Sequence, residues 1–206
     1  MTYIKMLTVA VASSAVFALA SAGNAGATVL CHTTTTPCGS KWSVGAAATF
    51  TLVSESTAKL LTTGGILENT CSGSTLTAVV TNAGNATTTN VLKAGSLSWT
   101  GCTSATSSAT YGELELHNIA GADNGTVTAK GFAVTMSMSG LDCAYGAGTG
   151  IDLGELTIST GTDAVLHVNT TVKRNNEHSN VFCPETAKWV ATYTQTSATH
   201  LFVEPS

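Results

Sequence analysis

The chain has 206 residues, only 10% of them charged, and a formal net charge of −4, where soluble domains usually carry about 25% charged residues. Its eight Lys and Arg residues form no cluster, which argues against nucleic acid, since cations must neutralise phosphates to give affinity. Three prolines, a mean hydropathy of +0.25 and recurrent β-branched runs argue against a disordered Thr/Ser stalk.

The chain opens with a leader pattern. Lys5 is a minimal basic region, an apolar Ala- and Ser-rich run follows to Ala22, and Ala25-Gly26-Ala27 is an A-x-A cleavage site. Residues 1–27 therefore read as a signal peptide. Residues 28–206 then form a single extracellular domain beginning at Thr28, secreted or held at the cell surface, with no later membrane span. CHTTTTPC (31–38) comes next. Leu30 before Cys31 is too large for a lipoprotein cleavage site, so the two cysteines read as a short staple on the mature N-terminus.

Period-two runs fill the rest: 48–53, 76–81, 96–100, 112–118, 125–139 with a bend at Gly131, 154–159, 164–173, 188–196 and 200–204, with one or two strands more from 59–71. Asn124-Gly125 is a hairpin signal that would pair 112–120 with 126–134 as antiparallel neighbours. Turn-rich segments such as GAGTG and RNNEHSN separate the runs, and no stretch has helical periodicity. The expected fold is all-β, a single antiparallel β-sandwich or barrel of roughly nine to ten strands. Phe50, Trp99, Phe132, Trp189, Tyr193 and Phe202 are the core candidates. Trp189, Ala191 and Tyr193 should share one face, with Val190 and Thr192 on the other; a platform of exposed aromatics for carbohydrate is the rival arrangement.

The six cysteines, Cys31, Cys38, Cys71, Cys102, Cys143 and Cys183, read as three disulfides in an exported chain. Without a C-x-x-C, zinc-ribbon and thioredoxin-type readings lose their support. Fifteen pairings are possible; local context favours the order 31–38, 71–102, 143–183.

TVLC with PC at 37–38, TCSGS (70–74), LSWTGC (97–102) and CPETAKWVATYTQTSATHLFV (183–203) resemble, in the same order, a group of secreted, Thr-rich, disulfide-bonded actinobacterial proteins of unassigned function. The resemblance implies bacterial export, one domain and disulfides, and supplies no activity.

Catalytic constellations are sparse. There is no G-x-S-x-G and no H-E-x-x-H. His32, His117, His167, His178 and His200 lack ligand spacing, so no metal or other cofactor is expected from them. Glu113 and Glu115 share a strand face, which is the usual pattern of a wet face rather than of a glycosidase pair. GAGTGIDLGE (146–155) fits part of a Ca²⁺-binding nonapeptide through Asp152, but in a single copy and with Gly154 where the repeat wants a large apolar residue; Asp152 is the weak calcium candidate. T-x-T triplets at 126–128 and 192–194 raise ice binding without the fixed repeat it needs. N-x-T sequons at Asn85, Asn124 and Asn169 would matter only in a eukaryotic secretory route.

The expected function is a non-catalytic structural or binding module with an unknown extracellular or cell-envelope partner, able to self-assemble through lightly charged edge strands. The alternative is a secreted glycan-active enzyme on a β scaffold using acids such as Glu113, Asp142 or Asp152.

Overall fold

The computed structural model describes residues 28–35, 37–65, 68–85, 88, 90–104, 109–110, 112–119, 124–138, 140–146, 150–158 and 163–205. The leader expected over 1–27 lies outside them. The described residues form strands and no helix: β1 (Thr28–Cys31), β2 (Ala47–Leu52), β3 (Ala58–Thr62), β4 (Glu68–Asn82), β5 (Asn90–Cys102), β6 (Ala109–Thr110), β7 (Glu113–Asn118), β8 (Gly125–Lys130), β9 (Ala133–Met138), β10 (Leu141–Gly146), β11 (Ile151–Thr157), β12 (Val165–Arg174), β13 (Thr186–Gln195) and β14 (Phe202–Pro205).

Eight positions close into an antiparallel barrel. The circuit runs β4, β5, β7, β8, β11, β12, β13 and back to β4 through one divided stave. That stave is β2 followed by β3: both pair with β4 on one side and β13 on the other, at different heights. Alternation explains the closure. In β12, Leu166, Val168, Thr170 and Val172 are buried while His167, Asn169, Thr171 and Lys173 are exposed, and in β13 Trp189, Ala191, Tyr193 and Gln195 point inward. All six aromatic core candidates are buried, so the exposed-platform arrangement does not occur.

Side chains fill the interior. Towards one end Phe50, Leu76, Leu92, Leu114 and Leu166 meet around a void of about 20 Å³, close to the room one water needs. Two caps keep the core dry. At that end β1 and β14 form a two-stranded ribbon buried on both faces. Leu30 and Val203 enter the main core, while Val29, Cys31 and Phe202 form a small second cluster with Cys38. The fully buried Gln195 organises the approach to β14, its amide accepting from Leu201 N–H at 3.1 Å and donating to Ser197 Oγ at 2.8 Å, which plants Leu201 in the barrel mouth. Trp42 locks the ribbon by donating from Nε1 to the carbonyls of Cys31 and His200, both at 3.2 Å.

At the opposite end β10, β9 and β6 form a flange continuing from β12. Its inward residues Phe132, Val134, Met136, Cys143 and Tyr145 belong to the same core as the barrel. The ring of Phe132 stacks on Trp189 at 5.2 Å and 5°, and Trp189 meets Trp99 at 5.8 Å, so three aromatics join flange to barrel.

The run expected over 125–139 is two strands, not one bent ribbon. Gly131, at φ 65°, ends β8, and β9 leaves the barrel. A Cβ on Gly146, where β10 returns, would collide with the Phe132 carbonyl oxygen, so the two connections touch only because that position lacks a side chain. β7 and β8 pair antiparallel as expected, but with Asn118 opposite Gly125, so Gly125 opens β8 and the connection spans 119–124. Closure pairs the barrel staves on both sides, so the sheet edges open to strand-to-strand assembly are those of the flange and the ribbon.

Candidate functional site at the flange rim

The structure joins Cys31 to Cys38, Cys71 to Cys102 and Cys143 to Cys183, with Cα–Cα distances of 5.9, 3.9 and 5.6 Å. Each secures a different place. The first closes the 31–38 loop over the outer face of the ribbon, and the second links directly opposed residues of β4 and β5. The third ties β10 to the segment between β12 and β13.

The acids raised as chemistry do not converge. Glu113 and Glu115 stand on the outer wall as the alternation implied. Glu113 lies between Lys93 and Lys130 in register; Glu115 binds Lys130 Nζ at 2.5 Å, with His117 Nε2 3.8 Å away. The Glu115 carboxylate, chiefly through that hydrogen bond, holds the Lys130 ammonium above its ordinary value. Asp142 accepts from Ser137 Oγ across the flange. Asp152 accepts from Gly154 N–H at 3.1 Å and closes a β-bulge between β11 and β8. Gly154 is required there, with φ 145° and no room for a Cβ beside the His167 carbonyl oxygen. The Gly-rich motif therefore builds a bulge, and among the described residues no group of three His, Cys, Asp or Glu could hold a metal ion. The T-x-T triplets at 126–128 and 192–194 stand on β8 and β13, separated by β11 and β12, whereas Thr77 faces Thr49, Thr75 faces Thr51 and Thr51 faces Thr194 in register across β4, β2 and β13.

A concavity of about 780 Å³ opens where the barrel wall forks at the flange end. β12 pairs with β11 as far as Val168 and with β10 from Lys173. In the crotch between lie Thr171, Lys173 and Arg174 from β12, Phe132 and Ala133 at the start of β9, and Ile151. Asn175, Asn176, Glu177 and His178 form the outer wall.

In the sequence Lys173-Arg174 is an isolated basic pair at the head of the turn-rich RNNEHSN. The structure gives them more to do. Arg174 donates from Nη1 to the carbonyl oxygens of Val181 (3.1 Å) and Cys183 (2.5 Å), and from Nε to Asn176 Oδ1 (2.8 Å). Ser179 both donates to and accepts from the Ala144 backbone at 2.8 Å. Asn180 N–H donates to the Asp142 carbonyl at 2.9 Å, and Asn180 Oδ1 accepts from Phe182 N–H at 3.0 Å. With the Cys143–Cys183 bridge, these bonds pin the segment 175–185 along the edge of β10. On it Val181 and Phe182 are each 80% exposed. No periodicity marks such a pair; the signal available in sequence was VF beside a cysteine and a proline in otherwise polar surroundings.

Two buried phenols flank the aromatic joint. Burial pushes the Tyr193 hydroxyl far above its ordinary value. Burial likewise raises Tyr145, partly offset by the Arg174 charge. Both stay neutral and serve the core. Compared with protein-family models, curated proteins and solved structures, the chain gave no match.

Proposed function

We propose that this chain is an exported, non-catalytic binding or structural module of the cell surface or surroundings, acting through the rim at the flange end of its barrel. The observation that carries this reading is how the acids are used. Glu115, Asp142 and Asp152 are each committed to an ion pair, a cross-strand hydrogen bond or a bulge, and Glu177 is the lone carboxylate lining the large cleft. Glycoside hydrolysis needs two carboxylates across a bond. Three disulfides on a filled, doubly capped barrel suit an oxidising compartment outside the cytoplasm, and the resemblance to secreted Thr-rich bacterial proteins points the same way.

The test follows the chain and then challenges its inertness. Expressed with its own first 27 residues in a bacterial host, the protein should appear in the medium or envelope fraction, with a mass that begins at Thr28 and six oxidised cysteines. Retention of the full-length, reduced chain in the cytoplasm overturns export. Incubation of the purified protein with cell-wall and storage polysaccharides should release no reducing sugar; release that disappears in Glu177→Gln would replace this reading with the glycan-active enzyme.

A further inference from the structure

Val181 and Phe182 stand out among the described surface side chains. Among the described residues the one other large apolar side chain so exposed is Val44, 70% exposed at the far end. Exposed aromatics on loose loops lose much of their binding energy to ordering. Phe182 sits on a segment already fixed by a disulfide, the Arg174 fork, Ser179 and Asn180, so that cost is met in advance.

The cleft lies beside this anchor. Arg174 lines it and also holds the carbonyls of Val181 and Cys183, so knob and hollow share one rigid support. Phe132, Ala133 and Ile151 give the hollow apolar walls, and its 780 Å³ exceeds a phenylalanine side chain several-fold. A patch that carries both an anchor and a slot for it is self-complementary under a two-fold axis. The charges agree. Lys173 and Glu177 both line the cleft, and neither makes an ion pair among the described residues. A two-fold can set each against its opposite on the other copy.

We propose that the flange rim is the interface of a symmetric dimer of this chain, in which Phe182 of each copy seats in the cleft of the other. The inference does not rest on the functional reading above: it fails if the chain is monomeric, whereas that reading fails on export or on catalysis.

The experiment is sedimentation equilibrium on the oxidised mature chain across a concentration series, with light scattering on a sizing column. The expected result is a reversible monomer–dimer equilibrium. Phe182→Asp should weaken it by about 30-fold or more, as expected for an interface anchor, with an unchanged thermal midpoint because the side chain is outside the core. Val44→Asp should leave it intact. Lys173→Glu should weaken it, and Lys173→Glu combined with Glu177→Lys should restore it. A wild type that is monomeric at every concentration overturns the proposal, as does a Phe182→Asp protein that still dimerises. Monomers that co-sediment with anionic phospholipid vesicles only when Phe182 is present also overturn it, assigning the pair to a membrane surface.

Discussion

The two ends of the barrel solve one problem in different ways. An eight-stave barrel whose interior is apolar must be closed at both mouths, or its core is wet. The ribbon end closes with little left over: β1 and β14 are buried on both faces, Trp42 donates to two backbone carbonyls, and Gln195 bonds Leu201 N–H and Ser197 Oγ. The flange end closes the core equally well through Phe132, Val134 and Met136, all 5% exposed or less. Yet it leaves a forked wall, a large cleft and two exposed apolar side chains on a pinned segment. Nothing about stability requires those features, and their concentration at one end is why function is assigned there.

The sharpest way to break the comparison is to cut the joint between flange and barrel. Trp189→Ala removes the ring that touches both Phe132 and Trp99 and should cost about 3–5 kcal/mol. Denaturant titration measures this, and hydrogen exchange should show the flange opening before the ribbon.

The bridges separate the ends next. By the chain-entropy account, losing Cys143–Cys183, with a sequence separation of 40, costs about 4 kcal/mol, and losing Cys31–Cys38, with a separation of 7, about 2.5. Paired Cys→Ser variants should rank in that order in urea. Limited proteolysis should nick the first within 175–185 and the second near the N-terminus; a reversed order, or cleavage at the same place in both, would refute the division of labour.

How much of this was legible beforehand depended on whether burial has a period. Where a strand faces core on one side and water on the other, alternation was enough: the expected runs over 112–118, 164–173 and 188–196 became β7, β12 and β13, and the inward face of 189–193 came out as read. The cysteine pairing followed chain order, with Cys71 and Cys102 directly opposed on neighbouring strands. Where successive residues are all buried there is no alternation to see, which is why β1, and β10 with Cys143, Ala144 and Tyr145 buried in a row, are absent from the period-two runs. The flange rim was invisible for another reason. Arg174 gains its role from carbonyls seven and nine residues on, a relation that exists only after the segment folds back along β10. Asp152 shows the converse, a metal-like motif whose carboxylate serves a bulge.

Arg174 gives a smaller test of the same end. Arg174→Met keeps the aliphatic stem and removes the donors to Val181 and Cys183. Charge-assisted hydrogen bonds of this kind are worth about 1.5–3 kcal/mol, and the Arg174 bonds lie at a partly exposed site, so the lower part of that range is expected in denaturant. The more specific result is local: exchange at Val181–Cys183 should accelerate while the ribbon end stays protected.

The smallest effect lies in the barrel itself and depends on pH. Ser74 Oγ donates to the Ser98 carbonyl at 2.9 Å, so the Tyr193 hydroxyl, 3.1 Å away, donates to Ser74. Tyr193→Phe keeps the ring and loses that bond, costing about 1 kcal/mol at neutral pH. In the folded chain burial raises the Tyr193 pKa above its ordinary value of 10.0. The stability this group contributes is therefore complete below pH 10.0, and it falls as pH rises above that value, because the unfolded chain releases the proton while the folded chain keeps it. Tyr145 and Lys130, also raised, push in the same direction in both proteins. Urea titrations from neutral to strongly alkaline pH should thus show the wild-type advantage over Tyr193→Phe shrinking above pH 10.0 and then reversing. Parallel curves across the whole range would mean that this hydroxyl reaches water in the folded chain, and that the caps do not keep the interior around Tyr193 dry.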